Sequence, residues 1–325
     1  MQKQSDRKIF NRQEWAGKPY NFFGDYLFKK YSCRVLKLPV NAGLSCPNRD
    51  GTTGTGGCIF CSDEGSASPT TSGISSISDQ MSNAIVTFRR SYKDTKYIAY
   101  LQAFTNTYGD IDTLKRIYDE CTGFPEITGL MIGTRPDCIN NEILTLINSY
   151  TRPGFELWLE FGMQSIHDKS LFFLKRGHTW QNTHDAIELT GRFGIDICVH
   201  IILGIPGETW EDMMETATVI SSLPVSGVKI HHLHVIKDTP LEILYCKGGI
   251  KLLTLREYIS ILCDFIERLR PDITIHRLAG DRSMDTLVAP KWGLHKGTVF
   301  QSVEDEFIRR STYQGFLYLP EGNMQ

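Results

Sequence analysis

The chain has 325 residues, 41% of them hydrophobic and 22% charged, enough apolar material for a large core in one α/β barrel-sized domain. No run approaches the roughly 18 uninterrupted apolar residues of a membrane helix, and residues 1–12 are too polar for a secretory signal, so a cytoplasmic protein with no membrane partner is expected. The formal net charge of −2 gives no chain-wide footprint for nucleic acid, and the nine cysteines, in a chain too long to need disulfide staples, read as metal ligands or catalytic thiols.

Residues 1–32 form a basic N-terminal segment. The first 37 residues carry nine basic side chains (Lys3, Arg7, Lys8, Arg12, Lys18, Lys29, Lys30, Arg34, Lys37) against Asp6, Glu14 and Asp25, a local net of +6. Such a segment suits either a phosphate backbone or a solvated tail. From residue 33 onward, short apolar runs alternate with helical periodicity. The strands expected are Cys33–Pro39, Tyr97–Ala103, Ile127–Gly133, Phe155–Phe161, Ile195–Leu203 and Val228–Val235. Between them, apolar residues recur at helical spacing, as in Ile77-Met81-Ile85-Phe88, Leu114-Ile117-Tyr118-Cys121 and Ile139-Ile143-Leu146-Ile147. Ala186-Ile187-Leu189, Met213-Met214-Ala217-Ile220 and Leu255-Ile259-Leu262-Ile266-Leu269 continue the series. Thr209 or Glu208 is placed to cap the helix after Pro206-Gly207, and Pro224 ends it.

Six strand–helix units in series predict an α/β fold with a parallel sheet, doubly wound or curled toward a barrel. Six units fall short of a full TIM barrel, so an open partial (β/α)6 TIM-like barrel over residues 33–270 fits the length best. Residues 271–325 read as a C-terminal extension covering the barrel or the substrate cavity, with Ile273–Leu278 a candidate further strand and Val303–Arg310 a short helix.

The first strand runs into a loop in which Cys46 is followed by eleven residues, Cys58, two residues and Cys61. That places three thiols at the C-terminal mouth of the sheet, where α/β folds put their sites. Thiolates this close suit an iron–sulfur cluster or zinc, and the glycines between them let backbone wrap a bulky group. A structural zinc needs a fourth ligand, and no second C-x2-C exists. A thioredoxin-like redox pair leaves Cys46 idle, and the glycines do not open a helix in G-x-G-x-x-G form. Three cysteines without a fourth point to a cluster with one iron free of protein ligands.

With those three cysteines, Phe60 before the last of them, and the βα series, the chain resembles the radical S-adenosylmethionine (SAM) core. More narrowly, Tyr100-Leu101-Gln102-Ala103-Phe104-Thr105-Asn106-Thr107-Tyr108 resembles the YhcC/YtqA-type, Elongator-like branch, as do Gly133-Thr134-Arg135-Pro136-Asp137, Arg176-Gly177-His178, His232-Leu233-His234-Val235, Arg277–Gly280 and Arg310–Gly315. The resemblance implies an enzyme with a 4Fe–4S cluster on Cys46, Cys58 and Cys61 that cleaves SAM to methionine and a 5′-deoxyadenosyl radical. It also implies SAM contacts by Thr105, Asn106 and Thr107 near the methionine amino group, by Gln164 on the ribose, and by Arg176 on the carboxylate. His200 is a further candidate; Gly133 and His200 depart from the acidic residues of some relatives. Gly207 is expected in a turn supporting the adenine.

The same resemblance implies tRNA as substrate, with processing of a carboxymethylaminomethyl group to aminomethyl at C5 of the wobble uridine, and an electron donor such as flavodoxin or ferredoxin. On that reading the basic segment and Arg309-Arg310 contact phosphates, while Tyr20, Phe22, Phe23, Trp292 or Tyr313 stack on an extruded base. Alternation places His232 and His234 on one face of the sixth strand, toward substrate, and His231 on the other. Lys237 and Asp281 are further candidates for meeting the substrate. Two rivals stand: a radical enzyme for a peptide or small metabolite, and a zinc- or cluster-bearing RNA-binding protein.

Overall fold

The computed structural model describes residues 15–63, 65, 76–92, 94–280, 282–294 and 296–320. After helix α1 (Phe23–Tyr31), strands and helices alternate: β1 (Arg34–Val40), α2 (Ile77–Ser91), β2 (Thr95–Leu101), α3 (Ile111–Thr122), β3 (Ile127–Thr134), α4 (Asn141–Asn148) and β4 (Glu156–Gln164). They continue with α5 (Asp168–Phe173), α6 (Trp180–Arg192), β5 (Asp196–Leu203), α7 (Trp210–Ser222) and β6 (Gly227–His232). A short β7 (Val235–Ile236) and α8 (Pro240–Cys246) precede α9 (Leu255–Arg268), β8 (Thr274–Arg277), β9 (Leu287–Ala289) and α10 (Lys296–Arg310). The helices begin where the sequence offers a cap. Thr179, Thr209 and Thr254 each accept from the amide three residues on, in reciprocal capping boxes with Asn182, Asp212 and Glu257.

All seven strands of the main sheet are parallel, in the order β1-β2-β3-β4-β5-β6-β8. The fold is the partial TIM-like barrel expected, with β8 as a seventh strand. Strand β8 pairs with β6, so the sheet continues past residue 270. The helices pack outside on alternate strand residues such as Leu38, Ala99, Leu130, Leu159, Val199 and Ile230, which form one continuous core.

The sheet curls until its edges approach. The Lys37 ammonium on β1 lies 3.5 Å from His276 Nδ1 on β8. Helix α1, read in the sequence only as part of a basic segment, closes the bottom of the curl. Its Phe23 stacks on His276 at 3.7 Å and meets Trp158 edge-on, while Leu27 joins a cluster with Ile98, Tyr100, Met131 and Cys198. The wall of the barrel is thus sealed by apolar packing at one end and open at the other.

The C-terminal extension divides. Arg277 and Arg282 line the cavity at the mouth, whereas α10 packs on α9 outside the barrel, with Val303 and Phe307 in the outer core. Gln314 then links the two ends of the chain, accepting from the Asn21 amide (2.9 Å) and donating its own amide to Pro19 O (2.8 Å).

Candidate active site

Every functional loop leaves the C-terminal end of a strand. After β1 the chain turns at Cys46, whose carbonyl accepts from the amides of Arg49 (2.8 Å) and Asp50 (3.2 Å). It doubles back so that the Gly57 amide meets Asn48 O (2.9 Å), and Cys58 and Cys61 follow in a tight turn closed by Cys61 N to Cys58 O (3.0 Å). Gly57 has φ +77° and a Cβ there would stand 3.0 Å from Arg49 Nε, so this close wrap excludes a side chain.

The loop is held from the far side of the barrel. The Ile59 amide donates to Leu174 O (3.1 Å), and Asn48 Nδ2 donates to Lys175 O (2.7 Å) and toward Cys58 Sγ (3.5 Å). Arg176 Nη1 donates to the same sulfur at 3.1 Å, with Nη2 fixed on Gly162 O at 2.6 Å. Arg135 grips Asp137 through two bonds (2.9 and 2.7 Å) and donates Nη1 to Arg176 O (2.6 Å), locking the loop that carries Arg176. Arg49 reaches the carbonyls of Cys61 (3.2 Å) and Ser62. Burial pushes the Cys61 thiol pKa up and the neighbouring Cys58 adds to this, with Arg49 acting against both.

All three thiols line one cavity of about 370 Å³. Among its described lining residues there is no fourth cysteine, and the histidines that reach it lie on β5 and β6 or just after β6. The donor set is three thiols on one loop with guanidinium groups at Arg49, Arg135 and Arg176, which offset thiolate charge. It fits a 4Fe–4S cluster with one iron open better than a four-coordinate zinc.

Below the mouth, the barrel interior is charged. Glu160 is fully buried; its Oε2 accepts from His200 Nε2 (3.0 Å) and from Lys229 Nζ, which also donates to Tyr100 Oη (2.8 Å). Burial opposes ionisation of Glu160, but the Lys229 ammonium, the His200 bond and Lys37 together hold its pKa well below the usual carboxylate range. Burial lowers the His200 pKa to about 4, so the ring is neutral at physiological pH. Lys37 is pushed down to about 7 by burial and then by the Lys229 charge.

The profile of the radical SAM superfamily matches residues 49–220, more than half of the chain. The chain belongs to the radical SAM superfamily. The profile of the Radical_SAM C-terminal domain follows at residues 225–309. The chain is 38% identical to the uncharacterized protein MJ0486 of Methanocaldococcus jannaschii over 95% of its own length and 96% of the relative's. It is 33% identical to YtqA of Bacillus subtilis over 92% of both. A partial likeness, 33% identity over 41% of this chain and 24% of the relative, is to a tRNA uridine(34) acetyltransferase of M. jannaschii. Among solved structures, archaeal Methanocaldococcus infernus Elp3 superposes with a TM-score of 0.63, covering 86% of this chain and 64% of that one, at 18% identity. That last likeness speaks for the fold. Membership implies a 4Fe–4S cluster and SAM, and with them a source of reducing electrons.

Within this radical SAM barrel the expected site residues part company. Thr105 lines the cavity, and its Oγ1 is buried without a hydrogen-bond partner, as a group awaiting a ligand would be. Asn106 and Thr107 do not line it. Asn106 Nδ2 donates to Ala103 O (3.0 Å) and Gly133 O (2.9 Å), and Thr107 Oγ1 bonds Thr134 Oγ1 (2.5 Å) and Cys138 O (2.7 Å), so both brace the loop. Gln164 reaches the cavity because the register slips between Phe161 and Gln164 and Gln164 adopts φ +69°. Arg176 and His200 also line it, Arg176 on the Cys58 sulfur and His200 on Glu160.

The histidine alternation is corrected. Strand β6 stops at His232, so parity does not carry to His234. His231 faces the interior beside His200, with ring centroids 5.9 Å apart, and His234 lines the cavity from the loop. His232 touches the cavity too, but its ring packs between Trp292 (4.3 Å) and Tyr258 (5.5 Å). Lys237 is exposed away from the cavity, with its amide on Thr286 O, and Asp281 lies outside the described residues.

The surface expected for phosphates is also revised. Arg309 pairs with Glu306, and Arg310 is held by Glu306, Asp264 and Glu267. Tyr20 and Phe23 are core, Trp292 donates to Leu253 O (3.1 Å), and Lys37 points into the barrel. Lys3, Arg7, Lys8 and Arg12 lie outside the described residues.

Sequence reasoning missed Glu160, Lys229 and Arg277. For the first two the signal was present: a charged residue between apolar neighbours in a strand, as in Leu159-Glu160-Phe161 and Val228-Lys229-Ile230.

Proposed function

We propose that the protein is a tRNA-modifying radical SAM enzyme that acts on the C5 substituent of the wobble uridine, converting carboxymethylaminomethyl to aminomethyl. The observation that carries the radical chemistry is the trio Cys46, Cys58 and Cys61 on one cavity with no fourth cysteine among its described lining residues. When bound there, the cluster supplies the electron that splits SAM. The chain's own groups do the rest. Arg176 and Asn48 donate to the Cys58 sulfur, Thr105 and Gln164 are presented for the methionine and ribose parts of SAM, and the apolar plug around Phe23 keeps water from entering below.

The tRNA assignment draws its support from the partial likeness to a protein named tRNA uridine(34) acetyltransferase. A flavodoxin or ferredoxin is the electron donor on this reading. The rival substrate, a peptide or small metabolite, is favoured by one observation: Arg309 and Arg310 are tied into ion pairs and offer no free phosphate contact. The deciding experiment incubates anaerobically reconstituted, reduced enzyme with SAM and bulk tRNA, followed by mass spectrometry of the nucleosides. The reading requires loss of carboxymethylaminomethyluridine with matching aminomethyluridine. Formation of 5′-deoxyadenosine with every nucleoside unchanged defeats it. The same preparation, if it held about one zinc per chain, no iron and no broad absorbance near ~400 nm, would defeat the cluster assignment.

A further inference from the structure

The barrel interior holds more positive charge than its own residues balance. Lys37, Lys229 and Arg277 act electrostatically on the same buried groups, and Glu160 is the only carboxylate among the described residues that acts with them. Glu160 Oε2 is already taken by Lys229 and His200, while its Oε1 is buried without a hydrogen-bond partner among the described residues. Lys37 can release its proton near neutrality. Arg277 brings a planar guanidinium with five N–H donors and no acceptor. No side-chain hydrogen bond or ion pair to Arg277 exists among the described residues, yet it lines the cavity.

Its position is built. A register shift sets both His276 and Arg277 of β8 against Lys229 alone, and this bulge brings two successive side chains to the interior. His276 fills the gap beside Phe23, and Arg277 is left facing the cavity. Next to it, Gly280 makes room for two imidazoles: a Cβ there would lie 2.7 Å from His234 Nδ1 and 3.5 Å from His231 Nδ1. Burial holds both rings neutral. Arg282 Nε donates to His234 Nε2 at 3.4 Å, so the remaining proton of that neutral ring sits on Nδ1, which is then a donor.

A half-buried cation with no counterion among the described residues, flanked by an N–H donor in a cavity, is a receptor for an anion. We propose that Arg277, with His231 and His234, forms a subsite for an anionic group of the substrate, a carboxylate or a phosphate. It lies on and beside β6 and β8, which carry none of the three cluster thiols. The inference deepens the tRNA reading and rests on it only for the identity of the anion, which there is the carboxylate of the carboxymethyl group.

The test is calorimetric binding to reconstituted holoenzyme, wild type against Arg277→Gln and Arg277→Lys. The probes are acetate, inorganic phosphate, SAM, 5-carboxymethylaminomethyluridine and the carboxamide of that nucleoside. The subsite requires that wild type prefer the carboxylate nucleoside over the carboxamide at least tenfold. Arg277→Gln should cut the preference below twofold, Arg277→Lys should keep part of it, and SAM affinity should not change. Because Arg277 has no hydrogen-bond or ion-pair partner among the described residues, Arg277→Gln should also melt no lower than wild type. Persistence of the preference in Arg277→Gln, an equal loss of SAM affinity, or a much lower melting temperature would each overturn the subsite, as would no anion binding at all. Arg277-dependent binding of acetate or phosphate without binding of either nucleoside keeps the subsite and removes the uridine reading.

Discussion

Replacing Glu160 by Gln isolates what the buried charge network contributes. The amide is nearly isosteric, so no cavity opens; what changes is that Lys229, 2% exposed, loses its counterion, and Lys37 loses a favourable charge nearby. Breaking a buried pair from one side costs about 3–5 kcal/mol, since the surviving charge remains out of water. Some relief comes from Tyr100 Oη, 2.8 Å from Lys229 Nζ, and from Lys37 shedding its proton, so the lower end, about 3 kcal/mol, is expected. In a chain of this size each kcal/mol moves the melting temperature by about 2 °C, which predicts a fall of roughly 6 °C. Urea unfolding of cluster-free protein at pH 7 measures it directly. Adding Lys229→Met to Glu160→Gln should restore most of the loss, giving a coupling of about 2 kcal/mol in the double-mutant cycle. The pH dependence has a definite sign. Glu160 is held below its unfolded pKa, so its contribution is complete above about pH 4.3 and fades as acid protonates it. The gap between wild type and Glu160→Gln should therefore close below that pH. A single mutant within 0.5 kcal/mol of wild type at pH 7, or a double mutant with purely additive losses, would refute the reasoning.

Three further outcomes follow from the same geometry. Cys58→Ala should reduce bound iron after reconstitution to near background and abolish the absorbance near ~400 nm, while cluster-free protein keeps its melting temperature within about 2 °C, since the thiol makes only weak sulfur contacts. Arg176→Gln removes a positive charge 3.1 Å from the Cys58 sulfur and should lower the cluster midpoint by tens of millivolts in a spectroscopic redox titration; an unchanged midpoint would contradict the contact. Lys37 carries fewer protons folded than unfolded between pH 7 and its ordinary value, so stability should rise with pH across that window. In Lys37→Met that slope, up to about 1.4 kcal/mol per pH unit, should flatten in urea titrations at several pH values.

Much of the fold was legible because the barrel repeats one local rule. Alternation in β1 and the long apolar runs in β2 to β5 marked the strands, and Thr209 three residues before Asp212 marked a helix start whose capping box the structure contains. Helix α1 was not legible. Its Phe23 and Leu27 form a two-point apolar stripe within a basic stretch, and only a closed barrel bottom gives such a short stripe something to bury against. The reading of Val228–Val235 as one strand failed for a related reason: composition continues through Leu233-His234, but β6 ends and β7 turns away to pair antiparallel with β9, Val235 with Ala289 and Ile236 with Leu287.

Sequence by itself determined the cysteine loop, since three thiols at fixed spacing after a strand, with glycines between them, are a local arrangement that needs no partner to be recognised. Tertiary structure alone decided which charges meet. Glu160, Lys229 and Lys37 come from β4, β6 and β1, and they form a network because the sheet curls until its first and last strands approach. Arg277 faces the cavity only because β8 bulges against β6. Pairing across a curled sheet depends on register and closure, which are set by all the strands together, and no window of sequence contains them.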